Sequence, residues 1–214
     1  MTRFSILFAL FCLAVVSATA GTVTYSTSPS DLCIGADGCG TDQVVFGSSI
    51  ITYRPLGTST TGATVTPTSN INLGDLIVSC VGGGTTCGTN ALPTGLTLYL
   101  KIDQIAPPGA GSISGGTLIG SVSSNSSGAF ITWAMAPTTT INAGGVSTTY
   151  TVSNNPLALV PPSNNNCGVG CPVAGPAGVT SIQGVVTQSP EPASILLLTT
   201  GLAGFWFARK RLSC

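Results

Sequence analysis

Between residues 21 and 188 apolar and polar positions alternate over short runs. The clearest is GLTLYLKIDQI, where Leu96, Leu98, Leu100 and Ile102 share one face while Thr97, Tyr99, Lys101 and Asp103 share the other. A period of two marks a strand with one buried face. The stretches 44–53, 71–81, 116–123, 128–135, 147–153 and 179–187 read as further strands, rich in Val, Ile, Thr and aromatics. Such residues suit a pleated, half-buried surface. Gly, Pro and Asn clusters punctuate them, and no part of this body sustains a helical period. Many short strands with turns between them predict an all-β fold, an antiparallel β-sandwich. The stretch 154–178 departs from the pattern. Pro156, Pro161, Pro162, Pro172 and Pro176 fall within it, a density that central strands do not tolerate, so most of it is expected to be a long excursion.

Both ends have a different pattern. Residues 1–20 place Arg3 ahead of an apolar stretch from Phe4 to Val16, then Ala18-Thr19-Ala20. That is the layout of a secretory signal peptide cleaved after Ala20. At the other end, Pro190-Glu191-Pro192 precedes the apolar run ASILLLTTGLAGFWFA, with Arg209, Lys210 and Arg211 directly behind it. As a helix the run is about 24 Å long, near the short limit for a bilayer span. Cations that stay on the cytoplasmic side and interfacial aromatics fit a stop-transfer segment. The expected organisation is a signal peptide (1–20), a β-sandwich body (21–188) and a tail (189–214) that crosses the membrane once. Proline fixes φ and removes a donor, so the Pro-Glu-Pro tripeptide is expected to be extended, unpaired and open to a processing enzyme.

Composition narrows the possible chemistry. The chain has no His, which removes Ser-His-Asp and Cys-His nucleophile systems and His-ligated zinc. Within 21–188 the only cations are Arg54 and Lys101, against five Asp, a net charge of −3. That is not the basic footprint of a nucleic-acid binder. No spacing among the Asp residues suggests a paired-carboxylate hydrolase. The glycine runs 82–84 and 109–116 lack the following Lys-Ser/Thr and the helix of a phosphate cradle. Asp31, Asp37 and Asp42 gather among glycines and are candidate calcium ligands; the alternative is an Asp/Gly turn. Otherwise no cofactor is expected, and no catalytic residue. Six body cysteines fall in close pairs, Cys33/Cys39, Cys80/Cys87 and Cys167/Cys171. An exported chain meets an oxidising compartment, and nearest-neighbour disulfides are expected, each closing a Gly-rich turn. Asn125-Ser126-Ser127 reads as a turn, and Trp133 as a core aromatic.

The order Pro-Glu-Pro, apolar span, basic cluster strongly resembles the PEP-CTERM sorting signal of Gram-negative bacteria, over roughly Ser189 to Cys214. The resemblance implies recognition by an exosortase, which cleaves at the motif. It also implies an inner-membrane precursor and a destination in the cell envelope, or in an exopolysaccharide or biofilm matrix. Leu212-Ser213-Cys214 extends past the basic cluster that usually ends such chains. A fainter likeness joins TSNINLGDLIVSC to the choice-of-anchor domains found ahead of such tails. It implies a β-sandwich and no catalytic residue. The expected function is an exported structural or adhesive surface protein, with exopolysaccharide as a candidate partner. A carbohydrate-binding module is the alternative.

Overall fold

The computed structural model describes residues 21–28, 31–34, 42–58, 60–84, 86–133, 137–162 and 177–190, together with Gly201. The expected signal peptide and most of the tail lie outside these described residues.

In chain order the strands are β1 (Val23–Ser26), β2 (Asp31–Ile34), β3 (Gln43–Phe46), β4 (Ser49–Arg54), β5 (Ala63–Val65), β6 (Ser69–Cys80), β7 (Asn90–Ala91) and β8 (Leu96–Ala106). They continue with β9 (Gly109–Ile119), β10 (Ser121–Val122), β11 (Phe130–Thr132), β12 (Thr138–Ala143), β13 (Val146–Val152), β14 (Leu157–Ala158) and β15 (Ala177–Pro190). One large sheet has the order β14–β11–β9–β8–β1–β5, with β2 also paired to β8. The other has the order β12–β13–β15–β6–β4–β3, and β7 and β10 form a small ribbon. Every pairing is antiparallel. Both large sheets contribute to one buried cluster, a sandwich-like arrangement.

The alternation in β8 sorts as expected, with Leu96, Leu98, Leu100 and Ile102 buried. They meet Ile51, Leu73, Leu76, Val78 and Val186 of the other sheet in the same core. Burying each such side chain contributes about 2 kcal/mol. Hydroxyls stitch the sheets as well. Tyr25 Oη of β1 donates to the Asn72 carbonyl of β6 at 2.7 Å. Tyr150 Oη of β13 donates to Gln104 Oε1 of β8 at 2.9 Å.

The structure departs from the sequence reading in several elements. The run 44–53 is a hairpin rather than one strand: Gly47 takes φ +56° and Phe46 pairs with Ser49. Asn90 Nδ2 clamps that turn by donating to Ser48 Oγ and Ser49 Oγ. The glycine run 109–116 lies inside β9. There a Cβ on Gly111 would stand 2.6 Å from Thr139 Oγ1 of β12, so a missing side chain lets the second sheet approach. The 154–178 stretch does not leave the body at once: β14 pairs with β11, and Leu159 N–H bonds the Ala129 carbonyl at 2.9 Å. Residues 163–176 lie outside the described residues.

Candidate functional site

β15 pairs with β6 over its first part and with β13 over its last, and both strands flank it around Gly184–Val186. Its register with β13 runs from Gly184 opposite Val152 to Pro190 opposite Val146. Its register with β6 ends earlier, at Val186 opposite Ser69. Thr187–Pro190 are therefore flanked by β13 on one side only, among the described residues. Two hydrogen bonds fix which way each residue points. Ser153 N–H reaches the Gln183 carbonyl on the β13 side, and Thr68 N–H reaches the Val186 carbonyl on the β6 side. Neighbouring residues of an antiparallel strand alternate between the two sides. Thr187 and Ser189 thus bond β13, while the main-chain groups of Gln188 and the Pro190 carbonyl face the open side.

This corrects one expectation. Pro190 is extended, as foreseen, but it is the last residue of the sheet rather than unpaired linker. The strand runs two residues beyond the expected boundary at 188. Proline is tolerated because its ring nitrogen faces the open side, where no ladder bond is lost. Glu191, Pro192, Arg209, Lys210 and Arg211 lie outside the described residues. Gly201 is the one described residue of the apolar run, and it is helical. Among the described residues no helix is long and apolar enough to cross a membrane.

Cys80 and Cys87 form a disulfide with Cα atoms 5.4 Å apart. It closes a loop whose Gly82 and Gly83 both have positive φ, so the expected Gly-rich turn is realised. Cys39, Cys167, Cys171 and the Cys33 side chain lie outside the described residues. So do Asp37 and the Asp31 side chain. Asp42 is exposed, and its carbonyl accepts the Tyr53 N–H at 2.6 Å. No cluster of three metal-ligating side chains occurs among the described residues. Trp133 is buried, and Ser123 N–H closes the turn at Asn125-Ser126-Ser127 by bonding the Ser126 carbonyl at 2.8 Å.

A second feature was not legible in the sequence. A groove of about 550 Å³ opens where β6 and β15 shift register, lined by Asn70, Asn72, Ser153, Ser181 and Gln183 with Ile71 and Gly184. The shift coincides with Gly74 at φ +108°, whose N–H bonds Asn72 Oδ1 at 2.8 Å. Asn154 braces the rim, donating to the Ser181 carbonyl and accepting the Gln183 N–H, both at 3.1 Å. Behind it, Asp75 accepts Arg54 Nη2 at 2.7 Å and Ser181 Oγ at 2.7 Å. The lining offers amides and hydroxyls and no charged side chain. It can match the hydrogen bonds of a neutral polar ligand.

Compared with known families, residues 190–211 match the PEP-CTERM protein-sorting motif. No curated protein and no solved structure matches the chain. The match starts at Pro190, where the sheet ends. The chain thus carries a PEP-CTERM sorting signal, the mark of a protein that an exosortase sorts to the cell surface, and that signal begins on the last residue of β15.

Proposed function

We propose that the protein is a non-enzymatic structural component of the cell envelope or its extracellular matrix, released into place by exosortase cleavage at Pro190-Glu191-Pro192. The observation that carries this reading is the continuity between β15 and the sorting motif: the strand's last residue is the motif's first. The apolar run and Arg209, Lys210 and Arg211 hold the precursor in the inner membrane with the body outside. A chain without His supports a non-catalytic role. The Gly, Ser, Thr and Asn content suits hydrated polysaccharide surroundings, with exopolysaccharide as the matrix partner.

The test is processing in a host that has the matching exosortase. Wild type should yield a body whose C-terminus, by mass, lies within the motif. Glu191→Ala should insert normally, because one residue outside the span hardly changes its hydropathy, yet remain full-length in the membrane. Processing of Glu191→Ala at the wild-type rate overturns the reading.

The amide-lined groove favours a second reading, a module that binds neutral glycan. Titration of the full chain in detergent with neutral oligosaccharides should then give saturable binding that Asn72→Ala combined with Gln183→Ala weakens about tenfold, as expected for two lost hydrogen bonds. Binding that the double variant leaves unchanged overturns it.

A further inference from the structure

Among the described residues, the open side of Thr187–Pro190 is a short strand edge that ends on the first residue of the matched motif. Natural sheets blunt exposed edges with proline, short length or a covering segment. Here Pro190 blunts it, and the edge is four residues long. Blunting is incomplete, however. Gln188 keeps an N–H and a C=O that point away from β13, and the Pro190 carbonyl points the same way. An exposed edge of this kind accepts an extended partner segment, main chain to main chain.

We propose that this edge is a docking strand for the processing enzyme: an extended segment of the exosortase pairs with Thr187–Pro190 on the side that β6 leaves open, aligning the motif for cleavage. The inference rests on the sorting reading above and adds the surface through which the enzyme grips the folded body. The choice of occupant follows from chain continuity. Pro190 belongs to both the edge and the matched motif, so an enzyme seated on Glu191 and Pro192 already lies beside Gln188. The partner's contribution is main-chain hydrogen bonding, which reads strand geometry and tolerates varied side chains. Recognition therefore requires a folded body, since only the sheet holds Gln188 and Pro190 in one extended line.

The experiment compares full-length variants in membranes containing the enzyme. Gln188→Pro removes the outward N–H but no main-chain bond to β13, because residue 188 faces the open side; like Gln188→Ala, it also loses the Gln188 Nε2 bond to Thr148 Oγ1. It should slow processing about tenfold, the effect of one lost backbone bond plus a ring at the interface. Gln188→Ala keeps the N–H and should be processed at the wild-type rate. Wild-type processing of Gln188→Pro, or equal slowing of Gln188→Ala, overturns the docking strand while leaving the sorting reading intact. An unprocessed wild type overturns both. A second measurement does not depend on how well Gln188→Pro folds. A photo-crosslinking residue at exposed Thr187 should capture the enzyme, and one at exposed Thr140 on β12, across β13 from the edge, should not. Capture from Thr140 alone, or from both sites equally, also overturns the proposal.

Discussion

Three tyrosine hydroxyls are carried into the interior, and each finds a partner. Tyr53 Oη donates to the Leu73 carbonyl at 2.7 Å, while Tyr25 and Tyr150 bridge the sheets with their rings 5.6 Å apart. Burial pushes Tyr25 up to about 12. It raises Tyr150 as well, with the neighbouring Tyr25 charge as the smaller cause. Below pH 10 both phenols are neutral whether the chain is folded or not. Between pH 10 and about 12 the unfolded chain ionises first, so stability falls as pH rises. Urea titrations across that range should show the fall, and Tyr25→Phe should flatten it. At neutral pH the same variant should lose about 1 kcal/mol, the value of one hydrogen bond. Gly74 is the most constrained residue of β6: a methyl there would overlap the Tyr53 hydroxyl, and its φ is +108°. Gly74→Ala should cost about 3 kcal/mol or more by urea denaturation. Nothing in the local sequence NLGDL announces this, because the constraint comes from β4.

At the scale of elements, legibility followed side-chain pattern. β8 was readable because its apolar face is unbroken over Leu96, Leu98, Leu100 and Ile102. β12 was not: in TTTINA only Ile141 is buried, so no alternation marks it. The first part of β9, ahead of the strand read at 116–123, was hidden because its packing depends on absent side chains, at Gly109 and Gly111. The hairpin in 44–53 was merged into one strand because Gly47 and Ser48 do not interrupt the surrounding β-formers strongly. The Cys80–Cys87 disulfide was readable from spacing. It ties the end of β6 to the segment leading into β7, near the turn that Asn90 clamps. Its loop is short, so removing it with Cys80→Ser and Cys87→Ser should cost about 2.5 kcal/mol. A lower urea midpoint with an unchanged slope would measure that loss.

For the whole molecule, the sequence conveyed the fold class and the sorting address, and it missed where one meets the other. Composition and the three-part tail are local signals. The register that puts Pro190 opposite Val146 is a long-range pairing, and no window of sequence contains it. The groove was equally hidden, since Asn70 and Asn72 come from β6 while Ser181 and Gln183 lie more than a hundred residues later. The architecture predicts an asymmetric response to shortening. Ending the chain after Pro190 keeps every rung of β15, and the thermal midpoint should stay close to that of the longer form. Ending it after Gln183 removes every registered pair between β13 and β15 and exposes Leu73 and Tyr150, and the cooperative transition should be lost. Calorimetry of the two products checks both outcomes.

The final strand is also an interior strand, inserted between β13 and β6. Nothing made earlier can close the gap between those two. Until β15 is made, the second sheet stays in halves. That same strand ends on the first residue of the sorting motif. Closing the sheet and presenting the address therefore fall to one segment. A chain broken off before β15 would have neither a finished sheet nor a motif to be read.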